Sequence, residues 1–126
     1  QLDLGGCNIR SEGTLALASL VCSSRSLTSL SLEWNGVGML ESALIALCRG
    51  LSSNRSLLDL DLRNNNIGSV GGAALGDMLA KNSVLRKLDI RWNSLGLKGG
   101  SALVVGLQEN QTLIQLDVSG NKVSDE

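Results

Sequence analysis

A frame of aliphatic residues recurs five times along this 126-residue chain, and it constrains the fold more than any other feature of the sequence. The frame reads Leu-x-x-Leu-x-Leu-x-x-Asn-x-Leu, with isoleucine or valine at some leucine positions. The chain opens inside the first copy, in which Cys7 takes the asparagine position. Its second leucine stands at Leu2, Leu30, Leu60, Leu88 and Leu116, so the spacing is 28, 30, 28 and 28 residues. Five copies at one period indicate structural repeats that stack on their neighbours.

Each repeat is predicted to contain one short strand, a turn, a helix and a return. The alternating leucines of the frame predict a strand whose apolar side chains point inwards. Between the frames, apolar residues at helical spacing predict helices at 11–22, 39–51, 69–81 and 98–109. The frame asparagine is expected to satisfy backbone groups in the turn, so that stacked units form an asparagine ladder. The longer step of 30 indicates two extra residues near 38–42, at the entry to the second helix.

Stacked strands lie about 4.8 Å apart, whereas packed helices lie about 8–10 Å apart, so the array must curve. The sequence therefore predicts an α/β leucine-rich repeat solenoid, a right-handed horseshoe with parallel strands on the concave face and helices on the convex face. One array spans 1–126, with units 1–26, 27–56, 57–84, 85–112 and 113–126. Because neither end carries a polar capping unit and the chain starts in mid-strand without Met, we expect a fragment of a longer protein.

The composition argues against several classes of function. Eleven basic and 12 acidic residues give a net charge of −1, which argues against nucleic acids and anionic membranes as partners. No apolar stretch approaches the roughly 18–20 residues of a membrane span. The chain has no His, no nucleophile with a base and no phosphate-binding Gly-Lys-Ser/Thr, so we expect no enzyme, cofactor, metal or small-molecule substrate. Cys7, Cys22 and Cys48 are expected to be small buried apolar residues in a reducing compartment.

Three columns of outward-pointing residues follow from the frame, and they make the concave face the predicted site of function. Nine residues in these columns are candidate partner-binding residues: Trp34, Trp92, Glu33, Arg63, Asn64, Arg91, Asp61, Asp89 and Asp117. The aspartate column runs beside the arginine column. These charges either neutralise each other as a polar surface or form a recognition strip for a basic protein, and both interpretations stay open.

Trp34 and Trp92 are the only aromatic residues of the chain, and both directly precede a frame asparagine. They stand two units apart, which places them roughly 10 Å from each other by the strand spacing. Tryptophan is enriched among the few residues that carry binding energy at interfaces, so the pair is expected to form an anchor patch for a protein partner. The alternative is that each indole packs over the turn of a neighbouring unit or on an arginine stem.

The segments Asn65–Leu85 and Asn93–Leu113 share the pattern N-x-(I/L)-G-x-x-G-G-x-A-L-x-x-x-L-x-x-N-x-x-L. This pattern resembles the ribonuclease-inhibitor subfamily of leucine-rich repeats, which includes the sensor arrays of innate immune receptors and the GTPase-activating protein of Ran. The order of E-W-N, R-N-N and R-W-N turns, with the lengthened unit between the first two, is more specifically similar to a leucine-rich repeat family of the centrosome linker and ciliary basal bodies.

The resemblance implies a non-enzymatic scaffold in the cytoplasm, attached to the cytoskeleton at a centrosome, basal body or ciliary axoneme. Its concave face would bind a protein partner within a large ciliary or centrosomal assembly. A ligand-sensing array of the immune-receptor or ribonuclease-inhibitor type and a GTPase-activating array resembling that of Ran are the alternatives. A downstream heptad region would favour the cytoskeletal scaffold. A neighbouring nucleotide-binding domain would favour the ligand-sensing array, and a catalytic arginine beside an acidic tail would favour the GTPase-activating array.

Overall fold

Five short strands alternate with four helices in the computed structural model, which describes residues 1–122. The strands are β1 (Leu2–Asp3), β2 (Ser29–Ser31), β3 (Asp59–Asp61), β4 (Lys87–Asp89) and β5 (Gln115–Asp117). The helices are α1 (Arg10–Ser23), α2 (Glu41–Ser53), α3 (Ser69–Lys81) and α4 (Gly96–Gln108). The predicted helix at 69–81 is confirmed to the residue, and the other three differ by one or two residues at their ends. Val123, which ends the last frame, lies outside the described residues.

The strands form one parallel sheet in the order β1-β2-β3-β4-β5. The second leucine of each frame pairs with its counterpart in the next unit: Leu2 with Leu30, Leu30 with Leu60, Leu60 with Leu88 and Leu88 with Leu116. The repeat period therefore sets the register of the sheet, and the predicted leucine-rich repeat solenoid is confirmed.

The second unit accommodates its extra residues before its helix. Five residues separate Asn35 from Glu41, whereas three separate Asn65 from Ser69 in the next unit. Gly38 lies in this longer turn, and its N–H donates to the Asn65 carbonyl at 2.8 Å. A Cβ at Gly38 would come within 2.7 Å of a neighbouring carbonyl oxygen, so the turn packs directly on the next unit. The predicted position of the insertion is thus confirmed.

The core between the sheet and the helices is aliphatic. Frame residues of the central units, such as Leu60 and Leu62, are fully buried, and Leu75 and Leu79 of α3 pack against them. Burying one such side chain contributes about 1.5–3 kcal/mol, so this layer supplies most of the favourable free energy of folding. Glycines bring the helices close: a Cβ at Gly106 would overlap the backbone of Gly76 on the neighbouring helix.

The frame asparagines form the predicted ladder. The Asn65 side-chain oxygen accepts hydrogen bonds from the N–H groups of Asn35 (3.0 Å) and Val37 (3.1 Å) in the preceding unit. Its amide nitrogen donates to the Leu32 carbonyl at 2.9 Å. Asn93 makes equivalent bonds to the unit of Asn65. These side chains therefore satisfy buried backbone groups that the short strands do not reach.

A second row of asparagines crosslinks the units at the other end of the strands. The Asn54 oxygen accepts the N–H of Leu57 at 2.6 Å, and its amide donates to the Val21 carbonyl of the preceding unit at 2.8 Å. Asn82 and Asn110 make the same bonds in the next two units. Asn54 and Asn82, which directly follow α2 and α3, have extended backbones, so binding of loop amides explains their positions.

The prediction that all three cysteines are buried is wrong for two of them. Cys48 is 3% exposed. Burial raises the pKa of its thiol to about 12, and the charge of Asp77 adds to this effect. Cys7 and Cys22 are exposed. Cys7 lies in the turn after β1, at the edge of the described sheet, and Cys22 lies in the last turn of α1, so neither is enclosed by packed units.

Candidate protein-binding face

The residue before the frame asparagine, or before Cys7 at that position in the first unit, has a left-handed backbone in all five units. The φ angles are +67° at Gly6, +61° at Trp34, +56° at Asn64, +60° at Trp92 and +78° at Gly120. Glycine adopts this conformation without a Cβ penalty and asparagine tolerates it, whereas another L-residue loses about 1–2 kcal/mol. The two tryptophans therefore occupy positions at which the backbone favours a different residue.

Hydrogen bonds between units hold this turn in place. The Trp34 N–H donates to the Arg63 carbonyl at 3.1 Å, and the Trp92 N–H donates to the Ser119 carbonyl at 3.0 Å. The Asn64 N–H makes the same bond, to the Arg91 carbonyl at 3.1 Å. Because each turn is bonded to the next unit, the strained backbone is imposed by the stacking of the array and does not depend on the side chain.

Both indoles lie largely in solvent. Trp34 is 62% exposed and Trp92 is 59% exposed. The Trp92 ring lies over Gly120, because a Cβ added at Gly120 would overlap its atoms. This contact agrees with the alternative in which the indole packs over the next turn, and it leaves more than half of the side chain accessible to a partner.

The charged columns form a connected network, which we call the charge ladder and define as Glu33, Asp61, Arg63, Asp89, Arg91 and Asp117. The Arg63 guanidinium contacts Asp61 at 2.7 Å, Glu33 at 3.2 Å and Asp89 at 3.6 Å. Arg63 thus joins carboxylates from three successive units. This pairing corresponds to the self-neutralised surface that was one of the two interpretations of these columns.

Arg91 extends the charge ladder to the fifth unit. It contacts Asp89 at 2.8 Å and Asp117 at 3.5 Å. Asp117 keeps a side-chain exposure of 40%, the highest among these paired carboxylates. Since four carboxylates share two guanidinium groups, the ladder retains an acidic excess at its exposed end.

Hydrogen bonds keep the carboxylates ionised. Partial burial alone would raise the pKa of Asp61, but hydrogen bonds from Arg63 and the charges of Arg63 and Arg91 outweigh it and lower that pKa. The backbone and side chain of Ser119 hydrogen-bond to Asp117 and lower its pKa too. The hydrogen bond to Asp61 likewise raises the pKa of Arg63. Asp61, Asp117 and Arg63 are therefore charged at neutral pH.

A polar depression of about 260 Å³ lies on this face. Its lining residues are Asp59, Asp61, Lys87, Leu88, Asp89, Arg91, Gln115 and Asp117. Nearly all of them carry charged or amide groups, so the depression suits a polar side chain of a protein partner better than an apolar ligand.

The nine candidate residues divide into two groups. The six residues of the charge ladder contact one another. Trp34, Asn64 and Trp92 share the equivalent turn position of three successive units. Sequence reasoning missed the left-handed backbone of this column, although the glycines at 6 and 120 and the asparagine at 64 are the residues that such a backbone favours.

Two further observations concern the described part of the chain. None of the helices α1 to α4 is long and apolar enough to cross a membrane. Within residues 1–122, no three His, Cys, Asp or Glu side chains are grouped so that they could hold a metal ion.

The fold defines this protein as an α/β repeat solenoid, and comparisons with known proteins agree with that class. The Leucine Rich repeat family matches residues 1–18, 23–38, 53–76, 81–104 and 109–126, and the chain belongs to this family. A search of curated proteins found no match.

Solved structures show the same fold. The tropomodulin C-terminal domain of Caenorhabditis elegans superposes with a TM-score of 0.72 at 13% identity, over 86% of this chain and 65% of that one. Actin-binding site 2 of leiomodin-1 superposes with a TM-score of 0.73 at 20% identity, over 84% of this chain and 61% of that one. At these identities the similarity concerns the fold, and this chain spans less than two thirds of either structure.

Proposed function

We propose that this chain is a non-enzymatic, protein-binding leucine-rich repeat array whose concave face holds the partner. The observation that carries the proposal is the left-handed backbone of Trp34 and Trp92. Two large, exposed indoles stand where the other three units have glycine or asparagine. All five units share this backbone, so it is the presence of tryptophan there, at a cost in stability, that points to binding, and tryptophan is prominent among residues that dominate interface energies.

The charge ladder supplies the polar half of this proposed interface. Its mutual contacts hold the arginine and aspartate side chains in place before binding, which lowers the entropy lost on association. The acidic excess near Asp117 favours a partner that presents Lys or Arg beside an apolar residue. A cation from that partner would also interact favourably with an exposed indole face.

Two cytoskeletal assemblies are candidate partners of this chain. The order of the E-W-N, R-N-N and R-W-N turns resembles leucine-rich repeat-containing protein 45, which supports a place in a centrosomal, basal-body or axonemal assembly. No comparison supports that finer relationship. The similarity in fold to leiomodin-1 actin-binding site 2 supports an actin filament as the second candidate partner.

The GTPase-activating alternative has weaker support on the concave face. A GTPase activator needs an arginine that is free to reach a nucleotide phosphate. On the concave face, Arg63 and Arg91 already pair with carboxylates of the charge ladder.

The test compares the full-length wild type with a Trp34→Asn/Trp92→Asn variant in proximity labelling from ciliated cells. Asparagine suits the left-handed backbone, so the variant is expected to remain folded, as circular dichroism will verify. We expect centrosomal or axonemal proteins to be captured by the wild type and lost in the variant. Val105→Ala, which trims an exposed apolar side chain on α4, is the control and should capture the same proteins.

Co-sedimentation with filamentous actin separates the two settings. Pelleting of the wild type with actin, reduced at least about tenfold in affinity in the double variant, would favour the actin filament. If the captured proteins and actin binding are both unchanged in the folded double variant, the tryptophans are not the anchor and the proposal fails.

A further inference from the structure

A second repeated motif lies at the opposite end of the strands from the tryptophans. The sequence Ser-Ser-Arg-Ser-Leu at 23–27 recurs as Ser-Asn-Arg-Ser-Leu at 53–57, one unit later. In the next two units, the position of Arg25 and Arg55 is occupied by Ser83 and Gln111. The repeat itself therefore does not require arginine at this position.

The two arginines share one cavity. Both are exposed and line a space of about 400 Å³, together with Cys22, Ser24, Ser53 and Ser56. Among residues 1–122, every ion pair involves Arg63 or Arg91, so neither cavity arginine has a carboxylate within 4.0 Å.

Local hydrogen bonds position part of this cavity and leave donors available. The Nη1 group of Arg55 donates to the carbonyls of Ser52 and Asn54, both at 3.2 Å, and so holds the guanidinium against the loop. Its Nε and Nη2 groups make no hydrogen bond within the described chain. The Ser24 oxygen accepts the N–H of Leu27 at 3.1 Å, which leaves the hydroxyl proton of Ser24 free to donate.

Helix capping accounts for only part of the positive charge. The cavity lies at the carboxyl ends of α1 and α2, where each helix dipole is equivalent to roughly −0.5 charge. Two such ends offset about one of the two guanidinium charges. The cavity therefore keeps a net charge of about +1 with unused N–H and O–H donors.

We propose that this cavity binds a phosphate-type oxyanion carried by a phosphorylated serine or threonine of a protein partner. The guanidinium fork matches phosphate oxygens in bidentate geometry, and serine hydroxyls complete such a site. The site is separate from the concave face of the proposed function and can bind independently of it.

The same features argue against a nucleic-acid strand as the occupant. A strand needs an extended basic groove together with aromatic side chains on which bases stack. Here two arginines line a single cavity, and both tryptophans follow the strands, whereas Arg25 and Arg55 precede them.

Fluorescence anisotropy with the full chain tests the proposal. The probe is a labelled peptide Ala-Gly-phosphoSer-Gly-Ala, and the same peptide without phosphate is the reference. We expect saturable binding of the phosphopeptide only, at least tenfold weaker in Arg25→Gln/Arg55→Gln. The Arg25→Lys/Arg55→Lys variant keeps the charge but loses the fork, and we expect an intermediate affinity. Circular dichroism verifies that each variant is folded.

Arg86→Gln/Lys98→Gln, which removes the same charge from two exposed residues of the unit 85–112, is the matched control and should bind as the wild type does. Equal weakening in this control would reduce the effect to general electrostatics and overturn the site. Absence of binding at millimolar phosphopeptide would do the same. Inorganic phosphate binding as tightly as the peptide, or a thymidine oligonucleotide displacing it from the cavity with higher affinity, would overturn the assignment to a protein partner.

Discussion

Asn65 illustrates how one side chain holds two units together. Its side-chain oxygen accepts hydrogen bonds from two N–H groups of the preceding unit. Its amide donates to the Leu32 carbonyl of that unit and to the Arg63 carbonyl of its own unit, and the residue is fully buried. A polar side chain in this position satisfies groups that would otherwise be buried without partners. The frame asparagine is therefore a structural requirement of the stack and not a candidate for partner binding.

Asn65→Ala should lower the free energy of unfolding by about 2–4 kcal/mol, because two buried N–H groups lose their acceptor. Urea denaturation followed by circular dichroism measures the loss. Ser94→Ala, a change at an exposed residue in the equivalent turn of the next unit, serves as the control and should lower it by no more than about 1 kcal/mol. Equal effects of the two changes would contradict the role assigned to the ladder.

Because tryptophan is strained in the left-handed turn, we expect Trp34 and Trp92 to lower the stability of the fold while they serve binding. Trp34→Asn should raise the free energy of unfolding by about 1 kcal/mol, because asparagine relieves the backbone strain at φ +61°. The reverse exchange in the next unit, Asn64→Trp, should lower it by a similar amount. Paired denaturation curves measure both changes, and a destabilised Trp34→Asn protein would show that the indole contributes packing that outweighs the strain.

Cysteine burial predicts which thiols react. The pKa of Cys48 is raised to about 12 by burial, so its thiolate is scarce at pH 8. Cys7 and Cys22 are exposed and should be alkylated by iodoacetamide in the native protein, whereas Cys48 should react only after unfolding. Mass spectrometry of peptides from native and urea-unfolded protein measures this order, and rapid native labelling of Cys48 would show that α2 opens readily.

At the scale of elements, glycine sets how closely α3 and α4 approach. Alanine has the higher helix propensity, worth about 1 kcal/mol over glycine in a helix interior. At Gly106, however, the added Cβ would overlap the backbone of Gly76, which cannot rotate away as a side chain would. Packing should therefore outweigh propensity at this position.

Gly106→Ala should lower the free energy of unfolding by about 1–3 kcal/mol, the usual range for overpacking. Gly68→Ala is the matched control, since a Cβ there meets no atom within 4 Å and the backbone φ of −99° suits alanine. We expect Gly68→Ala to be nearly neutral. A stabilised Gly106→Ala protein, measured by thermal and urea unfolding, would mean that the two helices can separate at little cost.

At the scale of the whole molecule, the charge ladder links the second to the fifth unit and makes stability depend on pH. The folded-state pKa values of Asp61 and Asp117 are lowered. The stability that these two carboxylates contribute to the folded state is therefore fully present above the ordinary carboxyl pKa of about 3.9. It is lost as the pH falls through the lowered folded-state values. Acid therefore weakens the contacts that Asp61 and Asp117 make within the charge ladder.

Lowering the pH from 6 to 3 should reduce the unfolding midpoint more in the wild type than in Arg63→Met, which has already lost the central cation of the ladder. The two proteins should differ most near neutral pH and converge in acid. Arg86→Met, an exposed arginine outside the ladder, should keep the wild-type pH dependence. Parallel curves for wild type and Arg63→Met would show that Asp61 does not depend on this pairing.

Much of the fold could be predicted from the sequence because the pattern that specifies each unit is local and recurs in every unit. The 28–30-residue period set the register of the sheet, and the alternation of leucines assigned buried and exposed columns. The frame asparagines were recognised because short strands leave backbone groups that only a side chain can satisfy. Features that depend on the sequence of one unit, such as the bounds of α3, were therefore predictable.

Other features depend on how units are placed against one another, and only the tertiary structure decided them. The exposure of Cys22 depends on which side of α1 the neighbouring helix covers. The pairing of Arg63 with Glu33 and Asp89 joins residues about one repeat apart in sequence. The common cavity of Arg25 and Arg55 arises in the same way, because stacking brings equivalent positions together in space while the chain keeps them 30 residues apart. The repeat period thus specified which positions become neighbours, and three-dimensional packing decided which atoms meet.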